Sequence, residues 1–373
     1  MKILVHHLGT RGGGPQLQLA ISKALLSFED VEVFIAFDVA TEVGSQLRAL
    51  NVPLIEFGTH VGGMGRLRLP LRLAAQLSDA IRLRRVCIKN RFDVVYEPMG
   101  HPLQVLPRWL SRRAGVRFLT SIHDATRHPG EENRLLAWLG RRDLVDTDAV
   151  ITYSAAVAAK LPRLDVPVFQ TVHGAFGHFR AQGARAYPGG TPVIGFFGRI
   201  GKYKGLERLR DAAVALRARG CLVELHIIGR GSLDPEVEKD FRALNTIIDN
   251  RWVRADEIPS IIDSFDVLAL PYDEASQSGV VGFALNAGVP IVATPVGGLS
   301  EQVRESGGSV AVDMSAAAFA DAVENLLSSP EAYDHVSNLQ LSAVKQRFSW
   351  DRVAADILRA ARAVSRSPLR RRL

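Results

Sequence analysis

Short apolar runs alternate with longer stretches in which apolar residues recur every third or fourth position, the rhythm of strands followed by helices. Residues 2–5 (Lys2-Ile3-Leu4-Val5) predict a strand, 15–26 a helix and 31–37 a second strand. Strands follow at 93–96, 118–121 and 148–152, each running into polar residues, with a helix at 154–161. From 176 to 191 the pattern gives way to Gly, Pro and Ala without periodicity, as a linker would. The rhythm then restarts with strands at 193–197, 223–228, 267–270 and 291–293 and a helix at 206–219. A closing helix runs from 351 to about 365, before a basic tail at 368–373. Apolar strands joined by helix-length connections imply parallel sheets covered on both faces. The expectation is an α/β chain of two Rossmann-like, doubly wound domains facing each other across a cleft. The first covers 1–177, a linker 178–191, the second domain 192–350, and the closing helix and tail 351–373.

Length agrees, since 373 residues exceed what one core usually holds. Hydrophobic residues make up 47% of the chain and charged ones 23%, ample apolar side chain for two cores. No apolar run approaches the ~20 residues that span a bilayer, and residues 2–5 lead into polar ones without a signal-peptide core. The two cysteines, Cys87 and Cys221, are far apart and lack metal-ligand spacing, so two unpaired buried thiols in a reducing cytoplasm are expected. The net charge of +7 favours phosphate-bearing partners without naming them.

In open α/β sheets ligands bind beyond the carboxyl ends of strands, and four segments there carry unusual residues. After the first strand, Gly9-Thr10-Arg11-Gly12-Gly13-Gly14 lets backbone approach a ligand and opens a helix whose N–H groups can meet an anion. It also reads as a plain tight turn. Ser121-Ile122-His123-Asp124 offers an imidazole for a phosphate or sugar hydroxyl, with Asp124 as its orienting partner, or else a structural loop histidine. Gly198-Arg199-Ile200-Gly201-Lys202-Tyr203-Lys204-Gly205 sets two cations, Arg199 and Lys204, beside glycines at a helix start, a site for a dianion. The competing reading is a solvated basic turn. Glu274-Ala275-Ser276-Gln277-Ser278-Gly279-Val280 precedes a helix whose first N–H groups form a second anion nest. The last two segments share one domain and could hold one nucleotide diphosphate between them.

The run from Gly198 to Gly205 resembles the retaining GT-B glycosyltransferases of family 4 (glycosyl transferases group 1). So do 225–231, 266–272 and Ala287-Gly288-Val289-Pro290-Ile291-Val292-Ala293-Thr294 with Gly297, Gly298 and Glu301. The first half matches through its glycine loop, His123-Asp124 and 150–154. The resemblance implies that Arg199 and Lys204 hold the donor diphosphate and that His123 faces the transferred sugar. Gly13 and Gly14 would lie near donor phosphate and acceptor, and Gly229, Arg230 and Val253 would line the base pocket. It also implies retention of anomeric configuration, no metal or other cofactor, and a last helix that crosses back onto the first domain. The family carries two glutamates in the fourth segment, which fall here on Ala275 and Phe283. Glu274 stands next to the first, and the lost ribose contact would pass to Ser276, Gln277 or Ser278.

The expected activity is transfer of a sugar from a nucleotide diphosphate donor to a saccharide or lipid-linked acceptor, in exopolysaccharide or cell-surface glycan assembly. A sugar-nucleotide epimerase on the same fold and a non-catalytic binding subunit are the alternatives. An anionic membrane surface is a further expected partner, on the cytoplasmic face. Arg66, Arg68, Arg72, Arg82, Arg84, Arg85, Lys89 and Arg91 crowd one stretch against the single acid Asp79, with Leu67, Leu71, Ala74, Leu77 and Ile81 at helical spacing. Arg108-Trp109-Leu110-Ser111-Arg112-Arg113 forms a second basic patch. An ordinary helix with a solvated basic face accounts for the same pattern. Nucleic acid is not expected, because aromatic residues do not interleave with the charges.

Overall fold

A computed structural model describes residues 1–58, 69–124, 146–177, 180 and 183–367. The chain forms two compact units, residues 1–171 with 350–373, and residues 172–349.

The first unit holds a seven-stranded sheet in the order β3-β2-β1-β4-β5-β6-β7. Its strands are β1 (Lys2–His7), β2 (Glu32–Asp38), β3 (Leu54–Phe57), β4 (Val94–Glu97), β5 (Phe118–Ile122), β6 (Ala149–Thr152) and β7 (Val168–Gln170). The second unit holds six strands in the order β10-β9-β8-β11-β12-β13. These are β8 (Val193–Phe197), β9 (Glu224–Ile228), β10 (Ile247–Asp249), β11 (Val267–Leu270), β12 (Ile291–Ala293) and β13 (Ser309–Val310). Every pairing is parallel, with Ile3 opposite both Val33 and Val94, and Ile194 opposite both Leu225 and Val267. In each sheet the order reverses beside the first strand, between β1 and β4 and between β8 and β11. Crossover loops part there and leave a crevice at the strand ends.

Central strands are unbroken apolar runs because helices cover both faces: Ile3, Leu4, Val5, Val94, Val95 and Phe196 are wholly buried. Four strands escape the sequence pattern, namely β3, β7, β10 and β13, and they are the four sheet edges. An edge strand buries less and needs fewer apolar residues: Val168 and Ile247 are largely exposed.

The second unit takes in Val172–Gly177, which the sequence pattern groups with the first half. The backbone N–H of Phe176 donates to Gly282 O at 3.1 Å, and Asn286 Nδ2 donates to Phe176 O at 2.8 Å, which explains that attachment. The closing helix Trp350–Arg366 belongs to the first unit, where Asp356 accepts from Thr171 Oγ1 at 3.0 Å and Arg362 pairs with Asp30 at 2.7 Å. Among the described residues no helix is long and apolar enough to cross a membrane. Cys87 is buried and burial lifts its thiol to about 12, whereas Cys221 is only half-buried, contrary to the expectation for both; both are free.

Candidate functional site

In the second unit the third and fourth segments meet at the β8/β11 crevice. Lys202–Lys204 forms a tight turn ahead of helix Leu206–Ala218. The Lys204 ammonium sits 3.5 Å above the centroid of the Tyr272 ring, a cation–π contact with a wholly buried partner. Burial raises the Tyr272 phenol to about 12, so it stays neutral beneath that cation, and its OH lies 3.3 Å from Ser278 Oγ. A chain of contacts thus runs from the basic turn to the start of helix Gly279–Ala287. Asp273 N donates to Tyr203 O at 2.9 Å, and Arg208 bridges Pro271 O and the Asp273 carboxylate, which locks the two loops together. Gly198 approaches Val280 along the same line.

Ser278 caps helix Gly279–Ala287 without a side-chain bond to it, and no acid stands in the first turn. The first N–H groups of a helix have no partner within it and carry the positive end of its dipole. Ser278 itself is gripped by Gln302, which accepts from its N–H at 2.9 Å and donates to its carbonyl at 3.2 Å, both groups buried. The His173 ring packs beside Gly279, and Phe176 stacks on Phe283 with centroids 5.2 Å apart. Neither His173 nor Gln302 stood out in the sequence; a histidine in an aperiodic stretch and a glutamine on a helix carry no local signal.

Gly229 follows β9 with φ 145°, and a Cβ there would collide with the Gly198 carbonyl, so only glycine lets these two loops touch. Asn250 brackets the neighbouring Gly231 with two 3.1 Å bonds. Arg230 is exposed and Val253 buried in the same group of loops. Arg199 is exposed, Glu274, Ser276 and Gln277 are half-buried, and Ala275 and Ser278 are buried.

In the first unit the glycine loop closes over His7. A Cβ on Gly9 or Gly14 would run into the His7 ring, and Gly13 borders Met99. Burial, then His101 and His6, hold His7 at about 3, so the ring is neutral. His123 lies at the end of β5 with Asp124 exposed beside it. Its Nε2 is 3.0 Å from Pro98 O and its ring is 4.4 Å from Tyr153. Burial lowers its imidazole to about 4. A carbonyl only accepts, so the neutral ring carries its proton on Nε2 and Nδ1 is an acceptor.

Two domain models match this chain: "Glycosyl transferase 4-like domain" over residues 13–174 and "Glycosyl transferases group 1" over 191–329. Both halves are glycosyltransferase domains. Among curated relatives, a D-inositol 3-phosphate glycosyltransferase of Arthrobacter sp. is 30% identical over 49% of this chain and 45% of its own. A 2-deoxystreptamine glucosyltransferase of Streptomyces kanamyceticus is 28% identical over 69% and 72%. The chain spans about half the length of the first curated relatives it matches (45% and 57%). Among solved structures, a glycosyltransferase from Rickettsia africae has a TM-score of 0.71 at 15% identity, covering 98% of this chain and 99% of its own. Anabaena Alr3699/HepE in complex with UDP and glucose has 0.71 at 17%, covering 97% and 100%. These likenesses establish the GT-B type of two Rossmann-like domains.

Within the 4-like domain the structure corrects one expectation. Arg108 is not a surface cation: it is 1% exposed and pairs with the buried Glu97 at 2.8 Å. Arg112 pairs with Asp148, and Arg113 lies over the Trp109 ring, so Arg108, Arg112 and Trp109 do not form an open basic patch. On helix Leu69–Asn90, Arg84, Arg85 and Lys89 are exposed together with Leu77 and Ile88, while Ala80, Leu83 and Cys87 face the core. Arg66, Arg68 and the basic tail at 368–373 lie outside the described residues. No group of three or more His, Cys, Asp or Glu is placed to hold a metal among the described residues.

Proposed function

We propose that this chain transfers a sugar from a nucleotide diphosphate donor to a saccharide or lipid-linked acceptor, with retention and without a metal. The group 1 domain takes the donor and the 4-like domain the acceptor. The observation that carries this reading is the contact chain Lys204–Tyr272–Ser278, which joins a cationic turn to a helix start at the crevice of the second sheet. Departure of a diphosphate builds negative charge as the glycosidic bond breaks. Arg199, Lys204 and the N–H groups of Gly279 and Val280 supply fixed positive charge for it. Phe283, stacked on Phe176, cannot accept from a ribose hydroxyl, so Ser276, Gln277 or Ser278 takes that contact. UDP in the Anabaena structures makes a uridine nucleotide the first donor to try. In the 4-like domain, His123 Nδ1 accepts from a hydroxyl of the transferred sugar, with the glycine loop near the donor phosphate. The exposed Leu77, Ile88 and basic residues of helix Leu69–Asn90 dock on anionic lipid.

The test is a thermal-shift screen against UDP, GDP, ADP and dTDP, followed by assay of nucleotide release from the matching sugar donors. A nucleotide at 100 times its dissociation constant adds ~2.7 kcal/mol of stability. Transfer requires release that accelerates with acceptor. A new nucleotide sugar without release means epimerisation, and binding without turnover means a non-catalytic subunit.

A further inference from the structure

Glu97 and Arg108 are wholly buried. Glu97 ends β4, and Arg108 lies in helix Val105–Arg112, so their 2.8 Å ion pair closes the intervening loop like a staple. His6 Nδ1 lies 3.1 Å from the other Glu97 oxygen and donates to it, Thr120 Oγ1 donates at 3.3 Å, and Gln104 Nε2 donates to His6 O at 3.2 Å. Burial pushes the Glu97 carboxyl up, but Arg108 and His6 outweigh it and hold it below the ordinary carboxylate range. The network ties the ends of β1, β4 and β5 to one loop.

That loop carries the groups that aim the site. Pro98 O, one residue past Glu97, accepts from His123 Nε2 at 3.0 Å and from the Tyr153 OH at 3.5 Å. His101 packs edge-on against His7 with centroids 5.9 Å apart, and His7 in turn fills the space beneath Gly9 and Gly14. A buried ion pair is weak evidence for stability, because apolar replacements of similar volume are often neutral or better. Such a pair can instead fix one loop arrangement.

We propose that Glu97 and Arg108 are positioning residues: their buried ion pair sets the loop from Pro98 to Gln104, and through Pro98 O it holds His123 in place for the sugar. The inference rests on the transfer reading for its kinetic consequence, but not for its structural one.

The deciding variant is the double substitution Glu97→Gln with Arg108→Met, which removes both charges and leaves none uncompensated. With the staple gone, kcat falls ~10- to 100-fold, the scale of a 1 Å misplacement, and the donor KM stays within a few-fold. Histidine ring signals followed by NMR against pH read the same event without turnover. The His123 titration moves up from about 4 toward its ordinary 6.5 as burial, the larger effect, is relieved; loss of the Pro98 contact alone acts the other way and lowers it. His123 is followed with His7 on β1, whose charge it influences, while the neutral Tyr153 ring packs on it at 4.4 Å. Arg108→Lys keeps the buried carboxylate compensated and serves if the double variant does not fold; it gives the same pattern in weaker form. Arg113→Ala, on the exposed end of the same helix, leaves both readouts unchanged. Wild-type kcat and an unmoved His123 titration in a folded variant would overturn the proposal and leave the pair purely structural. If the wild type turns over no nucleotide sugar at all, the transfer reading fails while the histidine titration still decides the positioning role.

Discussion

Gln302→Leu probes the donor loop from behind, through the backbone of Ser278. The Gln302 side chain, 6% exposed, holds both backbone polar groups of Ser278. Leucine fills a similar volume but offers neither bond. The Ser278 carbonyl keeps its contact with Val281 N at 3.3 Å, whereas the Ser278 N–H loses the Gln302 oxygen it donates to. One buried, unsatisfied N–H costs about 1–3 kcal/mol. For a unit of this size that lowers the unfolding midpoint by roughly 2–4 °C per kcal/mol, or about 2–12 °C. The site should suffer more than the fold. Ser278 is the residue on which helix Gly279–Ala287 begins, so its loosening shifts the N–H groups aimed at the diphosphate. Calorimetry with and without UDP measures both effects: a lower midpoint for the free protein and a smaller ligand-induced rise. A variant with the wild-type midpoint and the wild-type rise would make the Gln302 clamp incidental.

The loop itself separates two modes of donor recognition. If Glu274 replaces the missing carboxylate, Glu274→Ala lowers kcat while leaving nucleotide affinity near wild type. If backbone N–H groups carry the site, that variant is silent and Gly279→Val, which adds bulk beside His173, is the damaging one. Titration kinetics and binding distinguish them, and silence in both would show that the nucleotide does not use this loop. Acid stability follows from the lowered histidines. His7 and His123 stay neutral in the folded state to about 3 and 4, while the unfolded chain takes up protons near pH 6.5. Stability is therefore complete above pH 6.5 and is lost as pH falls toward 4, at ~1.4 kcal/mol per pH unit for each ring. His123→Phe should flatten part of that slope in thermal melts between pH 6 and 4.5, His7 and His101 carrying the rest, and an unchanged slope contradicts the assignment. Sedimentation with anionic vesicles at low salt should recover the wild type, and Arg84→Glu with Lys89→Glu should abolish recovery; an absence of wild-type binding ends the docking proposal.

What the sequence conceals follows from what each element must bury. β1, β4, β8 and β11 are legible because a strand covered on both faces needs an unbroken apolar run. Val168–Gln170 and Ser309–Val310 are not, since an edge strand can be short and half-polar. The glycine and cation segments announce their places at strand ends through composition. Arg108 misleads for the opposite reason: an arginine on a short helix between Pro107 and Trp109 looks solvated, and its partner Glu97 lies in a different element. Only the fold brings the two together. Gln302 and His173 are hidden likewise, because their significance lies in the backbone of Ser278 and Gly279 rather than in any spacing of their own.

Whether fixed cations stabilise the departing diphosphate is read from nucleotide release by Lys204→Ala, Arg199→Ala and Lys202→Ala in one assay. Lys204 is half-buried over Tyr272, whereas Lys202 is exposed in the same turn. Removing a group that stabilises the transition state typically costs ~3 kcal/mol, or about a hundredfold in rate. The account predicts that loss for Lys204→Ala and Arg199→Ala with their melting points preserved, and only a few-fold change for Lys202→Ala. Equal behaviour of all three variants would contradict it and reduce the basic run to a solvated turn.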